Sequence, residues 1–283
     1  MKIGIFRVVV LVMLLSGVVH ASPIVYTSTF PSGYPTLEQV DLTSGNVTLL
    51  ATIEYGGIVN DIAQNPINGE LYGLSGNNLF TISSAGKVTV VVNNLNSSCE
   101  TMAFDGSGRL YIGTQSALYS YNLSSATAQF IGNYGGAQYL NNGGQNIRFS
   151  GETLYLANTG AGDNTQLYTV NLTNGSATYI GNIVGQSAVV LGNYNTHLYG
   201  SSVPAINGGV GNQDVLDFGS VVTVTSGNVN YTIIGESFPE NVNFTATHSN
   251  GIVAAVPEPS VWALLGIGGL AVYAVGKSKK KNV

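Results

Sequence analysis

The chain has 283 residues, of which only 8% are charged and 37 are glycine. Globular domains carry about 25% charged residues, so this is not the profile of a helical enzyme rich in Lys and Glu; it suits short strands and tight turns, whose positive φ angles Gly and Asn tolerate. Residues 22–256 hold 13 acids against Lys87, Arg109 and Arg148, a formal charge of −10 that repels phosphate backbones and argues against nucleic acid as a partner.

Residues 1–21, MKIGIFRVVVLVMLLSGVVHA, read as a secretory signal peptide. Lys2 and Arg7 supply the positive start, and Val8 to Val19 the apolar core. Val19-His20-Ala21 ends in a small residue, so cleavage is expected between Ala21 and Ser22. Cys99 is the single cysteine, which rules out an internal disulfide and leaves a buried, inert thiol as the expectation.

Residues 22–255 repeat. Leu-Tyr pairs recur at Leu71-Tyr72, Leu110-Tyr111, Leu154-Tyr155 and Leu198-Tyr199, at spacings of 39, 44 and 44. Each follows a turn rich in Gly, Asn or Asp and is preceded by a short apolar run: NDIAQ, TMAFD, NIRFS or AVVLG. Residues 36–53, 117–134 and 166–183 align without a gap around Asp41-Leu42-Thr43, Asn122-Leu123-Ser124 and Asn171-Leu172-Thr173. Alternating apolar residues on both sides of a polar turn predict hairpins. Four strands in each unit of ~40 residues predict an all-β, repeat-built β-propeller of about five four-stranded blades. A β-sandwich or β-solenoid is the competing arrangement. The first unit lacks its leading strand, and residues 242–256 are expected to supply it and so join the two ends of the chain. The repeats resemble propeller repeats in general, without the signature dipeptide of the NHL- or Kelch-like classes.

Aligned leading strands bring Asn60-Asp61, Glu100-Thr101, Gln145-Asn146, Gln186-Ser187 and Val242-Asn243 to one level of the ring. The candidate ligand ring at the channel mouth is therefore Asn60, Asp61, Glu100, Gln145, Asn146, Gln186, Ser187 and Asn243. Amides with two carboxylates suit a hard cation such as Ca²⁺, or a sugar. The bland alternative is that strands begin with polar residues because the loops before them face water. His197 and His248 read as turn residues, and Tyr134 and Tyr139 as loop aromatics able to stack on sugar rings. Asp163-Asn164 lacks the alternating acids of a calcium loop. No Ser-His-Asp or His-x-x-x-His pattern stands out, so no catalytic residue is assigned.

The last 28 residues form three parts. Val256-Pro257-Glu258-Pro259-Ser260 is an open segment, because proline disfavours helix both at its own position and at the one before it. Residues 261–276 are uncharged and mostly apolar, and a helix of ~22 Å over Val261–Val275 nearly spans a ~30 Å hydrocarbon core once Lys277 snorkels. Lys277, Lys279, Lys280 and Lys281 in residues 277–283 place that end in the cytoplasm and the body outside it. This order of Pro-Glu-Pro, apolar helix and basic tail resembles the PEP-CTERM sorting signal. The resemblance implies an exported protein of a Gram-negative bacterium, often one that makes exopolysaccharide. It further implies recognition of Pro257, Glu258 and Pro259 by a membrane-embedded exosortase and delivery from the inner membrane to the cell surface. The expected function is a non-enzymatic propeller that binds an extracellular partner or polysaccharide. A metal-dependent lactonase- or lyase-like enzyme, its metal held by Glu100, Asn146 and Asp61, is the alternative.

Overall fold

The structure, a computed structural model, describes residues 24–29, 35–41, 47–95, 99–135, 145–159, 164–194, 197–204, 214–236 and 254–255. The signal peptide with its Ala21-Ser22 cleavage site, Tyr139, Asp163, Asn243, His248, the motif Val256–Ser260, the apolar helix and the lysine tail lie outside the described residues. Among those described there is no helix, and none long and apolar enough to cross a membrane.

The described residues open with the meander β1 (Ile24–Thr29), β2 (Thr36–Asp41) and β3 (Val47–Thr52). Four further sheets follow in sequence. The first holds β4 (Asp61–Gln64), β5 (Leu71–Ser75), β6 (Asn78–Ile82) and β7 (Val88–Val92). The next holds β8 (Thr101–Phe104), β9 (Leu110–Gly113), β10 (Ala117–Asn122) and β11 (Thr127–Asn133). Then come β12 (Gln145–Ser150), β13 (Thr153–Thr159), β14 (Asn164–Val170) and β15 (Ala177–Val184). The last sheet orders β16 (Gln186–Tyr194), β17 (His197–Pro204), β18 (Asp214–Gly219) and β21 (Thr232–Glu236). Between β18 and β21 a small hairpin, β19 (Val224–Thr225) with β20 (Asn228–Val229), leaves its own sheet and adds to the edge of β15. Finally β22 (Ala254–Ala255) pairs with β1, in the register Val25 to Ala255 and Tyr26 to Ala254.

The four sheets that begin with β4, β8, β12 and β16 are propeller blades. Within each blade the consecutive strands are antiparallel, the added β20 alone pairing parallel to β15, and the leading strands touch in succession: β4 meets β8, β8 meets β12 and β12 meets β16. β22 touches both β16 and β4. Burial falls from the inner to the outer strand. All of β8 and β9 is buried, whereas β7 and β11 are largely exposed. That gradient explains the Leu-Tyr pairs. The second strand of a blade is covered on both faces, so it carries consecutive large apolar residues instead of alternation. The core is accordingly divided into clusters between successive sheets. One sets Tyr72, Leu74 and Leu79 against Met102, Leu110 and Ile112; another sets Tyr111 and Leu118 against Ile147, Leu154 and Leu156.

Candidate functional site

Register fixes which leading-strand residues are equivalent. Asp61 pairs with Leu74, Thr101 with Gly113 and Asn146 with Ala157, each three residues beyond the Leu of its Leu-Tyr pair. The three pairs predicted around these residues therefore align. The fourth does not. A bulge in β16 between Ser187 and Val190 shifts the strand, and it is Val190, opposite Ser201, that occupies the equivalent place. Thr165 holds this bulge, donating to the Gln186 carbonyl at 3.2 Å and accepting from Val189 N at 3.1 Å. Gln186 turns aside and donates to Asp214 at 3.0 Å.

The aligned side chains do not open into a ring. Each reaches across to the backbone of the next blade. Asp61 Oδ2 accepts from Met102 N at 2.8 Å, Thr101 Oγ1 from Ile147 N at 2.9 Å, and Asn146 Oδ1 from Leu191 N at 2.8 Å. They also bond to one another. Thr101 Oγ1 donates to Asp61 Oδ2 at 2.5 Å, and Asn146 Nδ2 lies 3.3 Å from Asp61 Oδ2 and 3.4 Å from Thr101 Oγ1. Inner-strand N–H groups near the axis have no fifth strand to pair with, so polar side chains at this level satisfy them.

Arg148 sits two residues beyond Asn146 and completes the network. Its Nη2 donates to Asp61 Oδ1 at 2.9 Å and to the Ile62 carbonyl at 3.2 Å; Nη1 donates to the Met102 carbonyl at 3.0 Å and Nε to the Leu191 carbonyl at 3.1 Å. One guanidinium thus ties β12 to β4, β8 and β16. Both partners of the ion pair are buried, Arg148 at 3% exposure and Asp61 at 0%. Burial pushes the Asp61 carboxyl up, against the pull of Arg148, Thr101 and the Met102 N–H. Places equivalent to Arg148 hold Ala63, Ala103 and Gly192, so the neighbouring strands leave room for it. Sequence reasoning passed over Arg148. The signal was present: a lone arginine in the apolar run NIRFS, where the other leading strands carry Ala or Gly.

This geometry corrects the cation reading of the ring. Both Asp61 oxygens are engaged by protein donors, Oδ1 by the Arg148 guanidinium and Oδ2 by Thr101 Oγ1 and Met102 N. Glu100 is not part of the network, so Glu100, Asn146 and Asp61 do not form a metal triad. Among the described residues no cluster of three His, Cys, Asp or Glu is placed to hold an ion. Asn60 is spent on its own blade, its Oδ1 accepting from Gly76 N at 2.8 Å. The side chains of Gln145 and Ser187 are not among those described.

Glu100 is half-buried one residue before Thr101, and burial pushes its carboxyl up while Gln115 pulls it down. Tyr134, expected in a loop, is buried at 1% exposure between two blades. Its hydroxyl reaches the backbone of Gly113, where a Cβ would lie 2.8 Å from it. Burial, then the charge of Glu100, push that phenol up. His197 begins β17, with Nδ1 3.4 Å from Asp217 Oδ1 and its ring stacked on Tyr199 at 5.9 Å. Burial and Asp217 push the Tyr199 phenol up to about 12. Cys99 is buried, as expected.

No family model matches the chain, and no curated protein matches it. Solved structures do. TolB from Acinetobacter baumannii aligns at 15% identity and a TM-score of 0.45, over 75% of this chain and 53% of TolB. The chain thus spans about half the length of that protein. A nidogen/laminin complex aligns at 14% identity and a TM-score of 0.46, over 75% of this chain and 85% of the other. A gluconolactonase from Xanthomonas campestris aligns at 12% identity and a TM-score of 0.42, over 76% and 71%.

Proposed function

We propose that the protein is an exported, surface-sorted, non-enzymatic propeller that binds an extracellular partner or polysaccharide. The observation that carries the non-enzymatic part is the Arg148–Asp61 pair. It commits the best-placed carboxylate near the axis to joining blades, and the remaining network side chains bond to neighbouring backbone. Such a core is a rigid support for surface loops, which is where a scaffold of this kind meets ligands. The ring has five blades, with β22 and β1–β3 as the fifth; the contacts of β22 with β16 and β4 support this closure. The ending Val256–Ser260, the apolar helix and the lysines support export, an inner-membrane stage facing the periplasm, and processing by an exosortase after the secretion machinery has delivered the chain.

The test is the intact mass and fractionation of the protein in its own cells, beside Pro257→Ala and Glu258→Ala. The expected outcome is wild type without its lysine tail, at the surface or in the medium, and both variants retained in the inner membrane with the tail intact. Wild type that keeps residues 277–283 in the inner membrane would end the sorting proposal. A melting temperature lowered by EDTA would end the metal-free reading.

A further inference from the structure

The two outermost strands of the sequence leave the ring at one place. Val25 of β1 pairs with Ala255 of β22, and Ile24 of β1 pairs with Asp41, the last residue of β2. β22 therefore ends on the side where the second strands begin. That is the side of the β4–β5 turn (residues 65–70) and the β8–β9 turn (residues 105–109). These two turns meet: a Cβ at Gly108 would lie 2.7 Å from Ile67 Cγ1. The opposite face is held by other contacts. Asn60 Oδ1 accepts from Gly76 N at 2.8 Å, Glu100 N donates to the Gly113 carbonyl at 3.0 Å, and Gln186 Nε2 donates to Asp214 Oδ2 at 3.0 Å. Each joins the start of a leading strand to the end of the same blade where the second strand gives way to the third.

Chain length then sets an orientation. Five residues, 256–260, separate Ala255 from the apolar segment 261–276 proposed above to enter the membrane. Fully extended, five residues reach about 17 Å. The headgroup layer takes up about 5–8 Å of that reach, which leaves about 10 Å between ring and lipid. β22 touches β16 and β4, so the chain departs beside the leading strands and not from the rim. To turn the opposite face to the bilayer, the tether would first cross a four-stranded blade, about 14 Å wide. It would then climb the ring, whose leading strands of four to nine residues are about 13–30 Å long. Five residues do not reach that far.

Charge is not what turns the molecule. Arg109 shares its turn with Asp105, and Glu70 and Glu152 on the neighbouring turns add two acids. What this face offers to lipid is Ile67, 68% exposed within its turn. The other exposed large apolar residues among those described lie on outer strands or between β18 and β20. We infer that, while the tail holds the chain in the membrane, the β4–β5 and β8–β9 turns face the lipid headgroups, with Ile67 against them, and the face of Asn60, Glu100 and Asp214 is left open to the periplasm. The inference rests on the tail reading proposed above and gives the anchored stage its lipid-contacting surface.

The experiment is fluorescence quenching on the full chain, tail intact, in phosphatidylcholine liposomes that carry a headgroup spin label. Cys99 is buried, so a single introduced thiol takes the dye. Ile67→Cys and Ser107→Cys report the exit face; Asn77→Cys and Ser116→Cys report the other. Quenching at the first pair should be roughly threefold stronger or more than at the second, because about 10 Å separates one face from the headgroups and the depth of the ring is added for the other. Equal quenching at both pairs, or stronger quenching at Asn77→Cys and Ser116→Cys, in a chain that floats with the liposomes would overturn the inference and leave the anchor standing. A chain that does not float with them would overturn the anchor and this inference together.

Discussion

Arg148 makes its four bonds to three other strands, and its removal would strand a charge. In Arg148→Met the Asp61 carboxylate stays buried without its counter-ion, which costs about 3–5 kcal/mol. At ~2–4 °C per kcal/mol for a domain of this size, calorimetry should show a melting temperature lower by roughly 10 °C. Asp61→Asn in the same chain keeps an oxygen for Thr101 and for Met102 N but removes the charge. The double variant should therefore recover much of the loss, and a double variant no better than Arg148→Met would contradict the account. Glu100 gives a pH dependence of opposite origin. Burial raises its folded pKa above the ordinary 4.5. Below 4.5 the folded and unfolded chains both hold the proton. As pH rises from there, the unfolded chain releases its proton first, so stability falls until the folded carboxyl ionises as well. Glu100→Gln removes this loss. Its melting temperature should exceed that of wild type at neutral pH, and the two should converge in acid below 4.5.

Hairpin turns lock one blade onto the next. The Gly86 carbonyl, between β6 and β7, accepts from Glu54 N at 2.8 Å just after β3. Gly175, between β14 and β15, packs on Gly132 of β11, and Gly227, between β19 and β20, on Gly181 of β15. The repeated Ile-Gly-Asn of β11 and β15 thus has a cause. A Cβ at Gly132 would lie 1.8 Å from the Asn174 carbonyl oxygen. Gly175 adds a φ of +74°, and a Cβ there would lie 2.4 Å from the Gly132 carbonyl oxygen. Gly175→Ala should cost about 2 kcal/mol or more in urea denaturation. A loss under about half that would mean the two blades separate easily. The repeated Asn-Leu-Ser/Thr is explained as well: Asn122 and Asn171 each accept from the N–H two residues on, at 2.9 and 2.8 Å, and set the turn.

Closure belongs to the chain as a whole. Among the described residues β22 pairs the far end of the sequence with β1, and it also touches β16 and β4. A chain ending at residue 253 should melt several degrees below one ending at residue 256, because β1 becomes an unpaired inner edge. Equal melting would show that the ring is held by the inter-blade clusters and the Arg148 bonds alone.

Repeats of strand and turn were legible because they are local. Spacing of Leu-Tyr pairs gave the order of the four blades that carry them, and the register of three leading strands followed from it. The candidate ring was half legible. Asp61, Thr101 and Asn146 do share a level, but a bulge in β16 displaced Ser187 by three residues, and no spacing rule announces a bulge. Tyr134 looked like loop and is core, since its burial comes from the next blade rather than from its neighbours in sequence. The sequence by itself determined the all-β class, the repeat and the turn chemistry, all of which depend on residues within one hairpin or one segment. Tertiary structure alone decided what the polar level does. Whether a carboxylate near the axis faces solvent or a guanidinium depends on a residue 87 positions away in the chain, brought to 2.9 Å only when the blades assemble.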